Sequence, residues 1–338
     1  MRGTILYGPR DIRFAVRPEP VIVEPTDAII RLSATCVCGS DLWPYRGLND
    51  VKEPMAMGHE YCGIVEEVGS AVTGVRPGQF VVGSFCLSDN TCPHCRYGFQ
   101  SSCEKREFMT GAQAPLARVP LADGSLVATA EIPSEDLIPS LLAASDVLGT
   151  GWFSADAARV RSGSTVVVVG DGAVGLMGVL SAKQMGAGRI IAMSRHKTRQ
   201  DLALEFGATD IVSERGDEGV ARIKQMTGGV GADSVLECVG MKESMFQALD
   251  CTRPGGSIGY VGVPHGVEFD GQAPFFAQKN MLGGPAPVRR FLPDLMDLVL
   301  QRKINPGKVF DLDLPLADVA EGYRAMDERR AIKALLRP

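Results

Sequence analysis

Three side chains that suit a divalent metal stand far apart in the sequence: the thiol of Cys38, the imidazole of His59 and the carboxylate of Asp146. One sulfur, one nitrogen and one oxygen form a three-ligand zinc set whose fourth position stays open. An open position is what Lewis-acid catalysis requires. Each residue alone would equally suit a buried thiol, a core histidine or a helix N-cap, so the set is a hypothesis that the fold has to satisfy.

A second group of possible ligands is compact: Asp89, Cys92, Cys95 and Cys103 lie on one Gly- and Pro-containing loop. Pairwise spacing of this kind is typical of a closed, structural zinc site. Asp89 precedes Cys92 by the interval that separates Cys92 from Cys95, so we expect it to be the fourth ligand, with His94 as the competitor. Unligated thiols in a surface loop are the alternative interpretation.

A glycine-rich turn, Gly170-Asp171-Gly172-Ala173-Val174-Gly175, matches G-x-G-x-x-G and follows the β-branched run 165–169. This context, a buried strand before and a helix after, is the one that dinucleotide binding requires. The first glycine permits the turn, the second lets a pyrophosphate approach, and the third lets helix and strand pack closely. The phosphates would lie on the helix N-terminus. The predicted cofactor residues here are Gly170, Gly172, Ala173, Val174 and Gly175.

The next strand ends without the carboxylate that holds the adenosine ribose in NAD enzymes. Ser194 stands there, and Arg195 follows. A small residue leaves room for a 2′-phosphate, which an arginine binds bidentately. His196, Lys197 or Arg199 would assist. The sequence therefore favours NADP over NAD, although an exposed basic loop without a ligand would look similar.

The elements that must position these residues suggest two domains. Residues 1–145 contain short Val- and Ile-rich segments punctuated by Gly and Pro, typical of an antiparallel, barrel-like domain. Residues 146–285 alternate strands and helices, which predicts a doubly wound α/β domain. Residues 286–338 are expected to return to the first domain. One predicted helix spans about 199–206, with Thr198 in a capping box and Gly207 at its end.

Composition sets further bounds. The chain has 338 residues, a net charge of −5 and nine cysteines, most of them in the first third. A mildly acidic protein has no general attraction for nucleic acid or anionic lipid. No apolar run approaches the roughly 20 residues that span a bilayer, and no signal-peptide core follows Met1. We therefore expect a cytoplasmic protein without nucleic-acid or membrane partners, in which clustered cysteines bind metal.

Taken together, these motifs resemble the zinc-containing medium-chain dehydrogenase/reductase superfamily, alcohol dehydrogenase type, over essentially the whole chain. The resemblance rests on Cys38-Gly39-Ser40-Asp41, Gly58-His59-Glu60, the cysteine loop, Asp146 ahead of Gly149-Thr150-Gly151, and Gly170 to Gly175. It implies a GroES-like β-barrel catalytic domain beside a Rossmann domain. It also implies that Cys38, His59 and Asp146 bind catalytic zinc, that Glu60 can exchange onto the metal, and that Ser40 starts a proton relay.

Two positions depart from the family pattern. The first lobe ligand, usually cysteine, is Asp89, whose hard oxygen still suits zinc. The relay histidine found in many members is Trp43, which cannot shuttle a proton because its indole N–H only donates. We expect Trp43 to line the substrate pocket instead.

The resulting prediction is a zinc-dependent oxidoreductase that transfers a hydride between a primary or secondary alcohol and NAD(P), reversibly. Polyol or formaldehyde dehydrogenase activity is the close alternative. A zinc-free quinone or enoyl reductase lacks the metal set, and a non-catalytic NADP-binding sensor would not need Ser40. A homodimer or homotetramer is expected from the resemblance, with a sheet edge near residues 257–261 as its contact.

Overall fold

The computed structural model describes residues 1–49, 51, 54–269 and 271–338. These residues fall into two compact units, one formed by 1–149 with 287–338 and the other by 150–286. No helix among them combines the length and the apolar character that crossing a bilayer requires.

The N-terminal part of the first unit is built mainly from short strands. They are β1 (Arg2–Gly8), β2 (Asp11–Val16), β3 (Ala28–Cys36), β4 (Met55–Ala56), β5 (Tyr61–Val68), β6 (Phe80–Gly83), β7 (Cys86–Leu87), β8 (Glu107–Phe108), β9 (Leu116–Val119) and β10 (Leu126–Ala128). Short helices connect them: α1 (Leu42–Tyr45), α2 (Pro93–Arg96), α3 (Ala122–Ser125) and α4 (Ile138–Ala144). Helix α5 (Val147–Ala157) leads out of this unit.

The second unit alternates strands and helices, as its sequence predicts. Its elements are β11 (Thr165–Val169), α6 (Ala173–Gln184), β12 (Arg189–Met193), α7 (Lys197–Phe206), β13 (Asp210–Val212), α8 (Gly216–Met226), β14 (Ala232–Glu237), α9 (Lys242–Cys251), β15 (Thr252–Tyr260), α10 (Gln272–Ala277) and β16 (Asn280–Gly283). The C-terminal segment adds α11 (Val288–Leu300), β17 (Phe310–Pro315), α12 (Val319–Asp327) and β18 (Lys333–Arg337).

The main sheet of the first unit has the order β10-β6-β5-β3-β18-β17, with β9 also paired to β3. Strand β18 runs antiparallel to β3, with Leu335 opposite Cys36. The last strand of the chain is therefore part of the same sheet as β3, β5 and β6 of the N-terminal part. Its apolar side chains, with those of α12, enter a core that also contains Leu6, Val37 and Met57.

The sheet of the second unit is parallel, with the order β13-β12-β11-β14-β15-β16. In chain order within the unit this is 3-2-1-4-5-6, the arrangement of a Rossmann fold. Residues Val166 to Val169 are each at most 1% exposed, because β11 is covered on both faces. The predicted Rossmann sheet is confirmed, and the N-terminal part of the first unit consists mainly of short strands, as predicted.

Two local predictions are wrong. Helix α7 begins at Lys197, and its N-cap is His196 without a side-chain capping bond, so Thr198 and Asp201 form no capping box. Asp201 instead pairs with Lys197 on the helix surface. Residues 257–260 lie in β15, which has β16 on its outer side, so the expected sheet edge there does not exist. The predicted cap at Gly207 is confirmed by its φ of 114°.

Candidate metal centres and nucleotide site

Strand pairing brings Cys38 and His59 together. Cys38 follows the end of β3, and His59 precedes the start of β5. The two strands are antiparallel neighbours, with Thr35 opposite Tyr61, so the end of one and the start of the other meet at one edge of the sheet. Residues separated in sequence thereby reach the same point.

Asp146 is placed by the residue before it. The hydroxyl of Ser145 donates to the Gly83 carbonyl at 2.6 Å and accepts from the Tyr61 amide at 3.0 Å. The Ser145 carbonyl accepts from the Phe85 amide at 3.3 Å. Ser145 is fully buried, so these bonds fix the turn between α4 and α5 against β5 and β6.

The three predicted ligands have spacings that suit one zinc ion. His59 Nε2 lies 3.3 Å from Asp146 Oδ2, and Cys38 Sγ lies 3.8 Å from the same oxygen. Tetrahedral coordination at ordinary zinc–ligand lengths requires about 3.3 Å between nitrogen and oxygen and about 3.6 Å between sulfur and oxygen. Ligand atoms of Cys38, His59, Glu60 and Asp146 all lie within 4.8 Å of one another. The donor set therefore fits the metal.

Asp41 orients His59 from the other side of the ring. Its Oδ1 lies 3.4 Å from His59 Nδ1, while its Oδ2 accepts the Cys38 amide at 3.0 Å. A carboxylate on the second ring nitrogen is the usual way to direct the first toward a metal. Burial opposes a charged imidazole, but Asp41 and Cys38, with the hydrogen bond to Asp146, outweigh it and raise the pKa of His59.

A further layer holds Asp41. The side-chain amide of Gln113, which is fully buried, donates to the Cys36 carbonyl at 3.0 Å and lies 3.4 Å from Asp41 Oδ2. The hydroxyl of Tyr323, also fully buried, donates to Gln113 Oε1 at 3.2 Å. Two residues from distant parts of the chain, Gln113 and Tyr323, thus stabilise one carboxylate behind the metal ligands.

Glu60 is paired with Lys333, a residue that is not among the predicted site residues. Lys333 Nζ lies 2.6 Å from Glu60 Oε1 and 3.1 Å from the Val37 carbonyl, and both charged side chains are at most 1% exposed. The other Glu60 oxygen, Oε2, is buried and has no hydrogen-bond partner within the part of the chain that the structure describes. Burial raises the pKa of Glu60 although Lys333 opposes this. For Lys333, burial acts to lower the pKa, but the charges of Cys36 and Glu60 outweigh it.

The predicted relay and pocket residues lie beside the metal ligands in sequence. Ser40 is half-buried in the turn that precedes α1, two residues after Cys38. Trp43 is half-buried within α1, and its amide donates to the Ser40 carbonyl at 3.2 Å. Their roles in proton transfer and substrate contact remain predictions.

The cysteine loop forms a second compact cluster. The sulfur of Cys92 lies 3.6 Å from that of Cys95 and 3.9 Å from that of Cys103. Asp89 Oδ1 lies 3.7 Å from the Cys95 sulfur and 3.4 Å from the Cys103 sulfur. Tetrahedral zinc requires about 3.8 Å between sulfurs and about 3.6 Å between sulfur and oxygen. These four residues therefore also fit a zinc ion.

Asp89, rather than His94, completes this cluster. His94 is exposed, whereas Asp89 accepts the amides of Thr91 and Cys92 at 2.9 and 3.1 Å. Burial acts to raise the pKa of Asp89, but these hydrogen bonds and those from the thiols lower it to about 2. The carboxylate is accordingly ionised at neutral pH, as a metal ligand must be.

The glycine-rich loop of the second unit has the shape that a dinucleotide needs. Gly170 has a φ of 114°, and a Cβ atom on Gly175 would lie 2.0 Å from the Gly170 carbonyl oxygen. A Cβ on Gly172 would meet no atom within 4 Å, so space is open where a pyrophosphate would approach. Helix α6 begins at Ala173, followed by Val174, and presents its first amides to this space.

Two of the predicted ribose-side residues, Ser194 and Arg199, contact the carboxylate of Asp171. Ser194 is fully buried, and its hydroxyl donates to Asp171 Oδ2 at 2.8 Å. Arg195 and His196 are exposed, and Arg199 lies 3.4 Å from Asp171 Oδ1. Asp171 is not among the predicted cofactor residues, and neither is Arg215, whose Nη2 lies 3.9 Å from Asp171 Oδ2.

Some of the unpredicted residues carry a signal in the sequence. Lys333 is a lone charge inside the apolar run 331–336, and a lysine buried in this way needs a partner. Asp41 lies within the recognised Cys38 motif but received no assignment. Gln113 and Tyr323 have no comparable signal, since only the fold brings them together.

A GroES-like domain with a Cys-His-Asp metal set and a Rossmann sheet with a glycine-rich loop define the class of zinc-binding dehydrogenases. Comparison with known families agrees. The model described as "Alcohol dehydrogenase GroES-like domain" matches residues 24–140, and the one described as "Zinc-binding dehydrogenase" matches residues 173–300.

Individual relatives define the family more closely. Zinc-type alcohol dehydrogenase B of Aspergillus flavus is 32% identical, covering 100% of this chain and 81% of its own. NADP-dependent isopropanol dehydrogenase of Clostridium beijerinckii is 30% identical over 91% of each chain. The solved structure of an alcohol dehydrogenase from a Thermus species superimposes with a TM-score of 0.91 at 30% identity, covering 100% and 99% of the two chains.

The chain belongs to the zinc-binding alcohol dehydrogenase family of medium-chain dehydrogenases. It is a zinc-dependent alcohol oxidoreductase that acts on small molecules and uses a nicotinamide cofactor. The predictions of family, enzyme class and fold from the sequence are confirmed.

Proposed function

We propose that the protein transfers a hydride reversibly between a primary or secondary alcohol and NADP, with Cys38, His59 and Asp146 holding the catalytic zinc. The observation that carries this proposal is that Asp146 Oδ2 lies at distances typical of tetrahedral zinc ligands from both His59 Nε2 and Cys38 Sγ, with all the ligand atoms within 4.8 Å of one another. We assign residues 1–145 with 286–338 to the catalytic domain and residues 146–285 to the nucleotide-binding domain.

The protein's own residues hold and orient the reacting groups. When bound, zinc supplies a Lewis acid that acidifies an alcohol or polarises a carbonyl, and the nicotinamide accepts or returns the hydride. Cys38, His59 and Asp146 form the metal site, and Asp41 directs the His59 ring toward it. The Ser40 hydroxyl takes the substrate proton and passes it outward by a route that does not include Trp43, since Trp43 cannot accept it.

Glu60 serves as an alternate metal ligand in this account. Its Oε2 lacks a hydrogen-bond partner among the described residues, whereas Lys333 holds its Oε1. The second zinc, on Asp89, Cys92, Cys95 and Cys103, is structural because its four ligands close the coordination sphere.

The preference for NADP is supported by the missing carboxylate after β12 and by the arginines near Ser194. The NADP-dependent relative from Clostridium beijerinckii also supports it. The cofactor residues we assign are Gly170, Gly172, Ala173, Val174, Gly175, Ser194, Arg195, His196 and Arg199. The cytoplasmic location and the homodimer or homotetramer stay predictions from the sequence.

Purified wild type, Cys38→Ser and His59→Ala test the proposal. We expect about two zinc ions per wild-type chain by mass spectrometry, one in each variant, and reduction of NADP on a panel of alcohols only by wild type. Cofactor binding should persist in both variants. The panel includes polyols, because a probable D-xylulose reductase from Aspergillus clavatus is 30% identical. Full activity in zinc-depleted Cys38→Ser would refute the assignment.

A further inference from the structure

An unassigned carboxylate lies at the adenosine end of the nucleotide site. Asp171 follows the first glycine of the loop, and its side chain reaches the end of the neighbouring strand, where Oδ2 accepts the Ser194 hydroxyl at 2.8 Å. Arg199 Nη1 lies 3.4 Å from Asp171 Oδ1, and Arg215 Nη2 lies 3.9 Å from Oδ2. Strands β11, β12 and β13 are adjacent and parallel, so residues that follow their carboxyl ends meet at one edge.

Partial burial strengthens the electrostatic interactions of Asp171, Arg199 and Arg215. The side chains of Asp171, Arg199 and Arg215 are 15%, 12% and 29% exposed, so solvent screens them less than charges on an open surface. Burial acts to raise the pKa of Asp171, but Ser194 and the arginines lower it, so the carboxylate is ionised at neutral pH. Two guanidinium groups and one carboxylate leave the cluster with an excess of one positive charge.

The nitrogen–oxygen distances show that neither arginine forms a short bidentate pair with the Asp171 carboxylate. A bidentate arginine–carboxylate pair has nitrogen–oxygen distances of about 2.7–2.9 Å. Arg199 and Arg215 lie near the Asp171 carboxylate at longer distances, and Arg199 Nη1 also donates to the Asp171 carbonyl at 3.3 Å. The site thus combines a carboxylate, which suits ribose hydroxyls, with cations, which suit a 2′-phosphate.

We propose that Asp171 is a specificity-determining residue that limits the discrimination between NADP and NAD. A 2′-phosphate must share Arg199 and Arg215 with the Asp171 carboxylate and is repelled by its charge. An unphosphorylated ribose meets no such repulsion and gains a hydrogen-bond acceptor. This inference rests on the proposed nucleotide site. It adds that the Asp171 carboxylate competes with the 2′-phosphate for Arg199 and Arg215.

The test is calorimetric binding of adenosine 2′,5′-bisphosphate and of adenosine 5′-monophosphate to the full-length protein, wild type and Asp171→Asn. Asparagine keeps an oxygen that can accept the Ser194 hydroxyl but removes the charge. We expect Asp171→Asn to bind the bisphosphate about tenfold more tightly, with the monophosphate unchanged or weaker. An unchanged or lower bisphosphate-to-monophosphate preference in Asp171→Asn overturns the inference.

Two further variants localise the effect. Asp201→Asn removes an exposed carboxylate that pairs with Lys197 on α7, and it should leave both affinities within about twofold. In an Arg215→Gln background, the gain from Asp171→Asn should shrink, because part of the competition has been removed. A full gain there would show that Asp171 does not act through Arg215.

The outcome for wild type separates this inference from the proposed cofactor preference. If wild type binds the monophosphate as tightly as the bisphosphate, the NADP preference fails. The ratio between Asp171→Asn and wild type still decides whether Asp171 restrains binding of the 2′-phosphate.

Discussion

Removing the ammonium group of Lys333 should lower the free energy of unfolding, because the Glu60 carboxylate beside the metal ligands would remain buried without its partner. The Lys333–Glu60 pair is at most 1% exposed and has a nitrogen–oxygen distance of 2.6 Å. Breaking a buried pair by removing one partner typically costs about 3–5 kcal/mol, because the remaining charge stays desolvated. We expect Lys333→Met to lose free energy of unfolding in this range near pH 8.

The loss should depend on pH in a defined direction. Without Lys333, the pKa of Glu60, already raised by burial, rises further. The folded state then binds a proton that the unfolded state, with a pKa of about 4.3, does not bind. The stability of the variant relative to wild type therefore increases as pH falls from about 8 to about 5.

The assay is guanidinium unfolding at fixed free zinc, followed by fluorescence in a Trp152→Phe background. The chain has two tryptophans, so the signal then comes from Trp43, which lies in the first unit. Lys303→Met, at an exposed position, is the matched control and should change stability by less than about 0.5 kcal/mol. In a double-mutant cycle with Glu60→Gln, we expect a coupling of about 2–3 kcal/mol. A loss below about 1 kcal/mol in Lys333→Met at every pH refutes a charged, buried pair.

Two further predictions concern the nucleotide loop and acid stability. Gly175→Ala should weaken cofactor binding about tenfold or more in calorimetry, because the new methyl would lie 2.0 Å from a carbonyl oxygen of the loop. The control, Gly178→Ala, should not weaken cofactor binding, because the atom nearest to its new methyl would be the end of a leucine side chain at 3.1 Å. Asp27 is fully buried and accepts the Arg118 Nε hydrogen bond at 2.6 Å. Burial acts to raise the pKa of Asp27, but Arg118 and two backbone amides lower it, so its stabilisation is present above about pH 4 and lost as pH falls through the folded value. Asp27→Asn should therefore cost about 2 kcal/mol in denaturant unfolding at pH 7, and a deficit that persists unchanged in acid would contradict this.

The fold of the nucleotide-binding unit could be predicted from the sequence because the patterns that indicate it are local. The run 165–169 predicts a buried strand, and the glycine pattern after it predicts the turn and helix that the structure contains. The capping box predicted at Thr198 does not form because α7 begins at Lys197, which places Thr198 inside the first turn of the helix.

The two metal sites could be predicted from the sequence to different degrees. The cysteine loop is compact in sequence, so its cluster could be predicted from spacing alone. Cys38, His59 and Asp146 could be grouped only through donor chemistry and family resemblance, since strand pairing and the Ser145 bonds bring them together. Lys333 and Tyr323 reach the site through the returning C-terminal segment, and no local pattern connects them to the metal ligands.

The most direct test of the account is a crystal imaged at the zinc absorption edge. We predict two anomalous peaks per chain, one between Cys38 Sγ, His59 Nε2 and Asp146 Oδ2 and one within the cysteine loop, with the first absent in Cys38→Ser. A wild-type crystal grown with zinc that shows no peak at the first position would contradict the assignment of the catalytic metal.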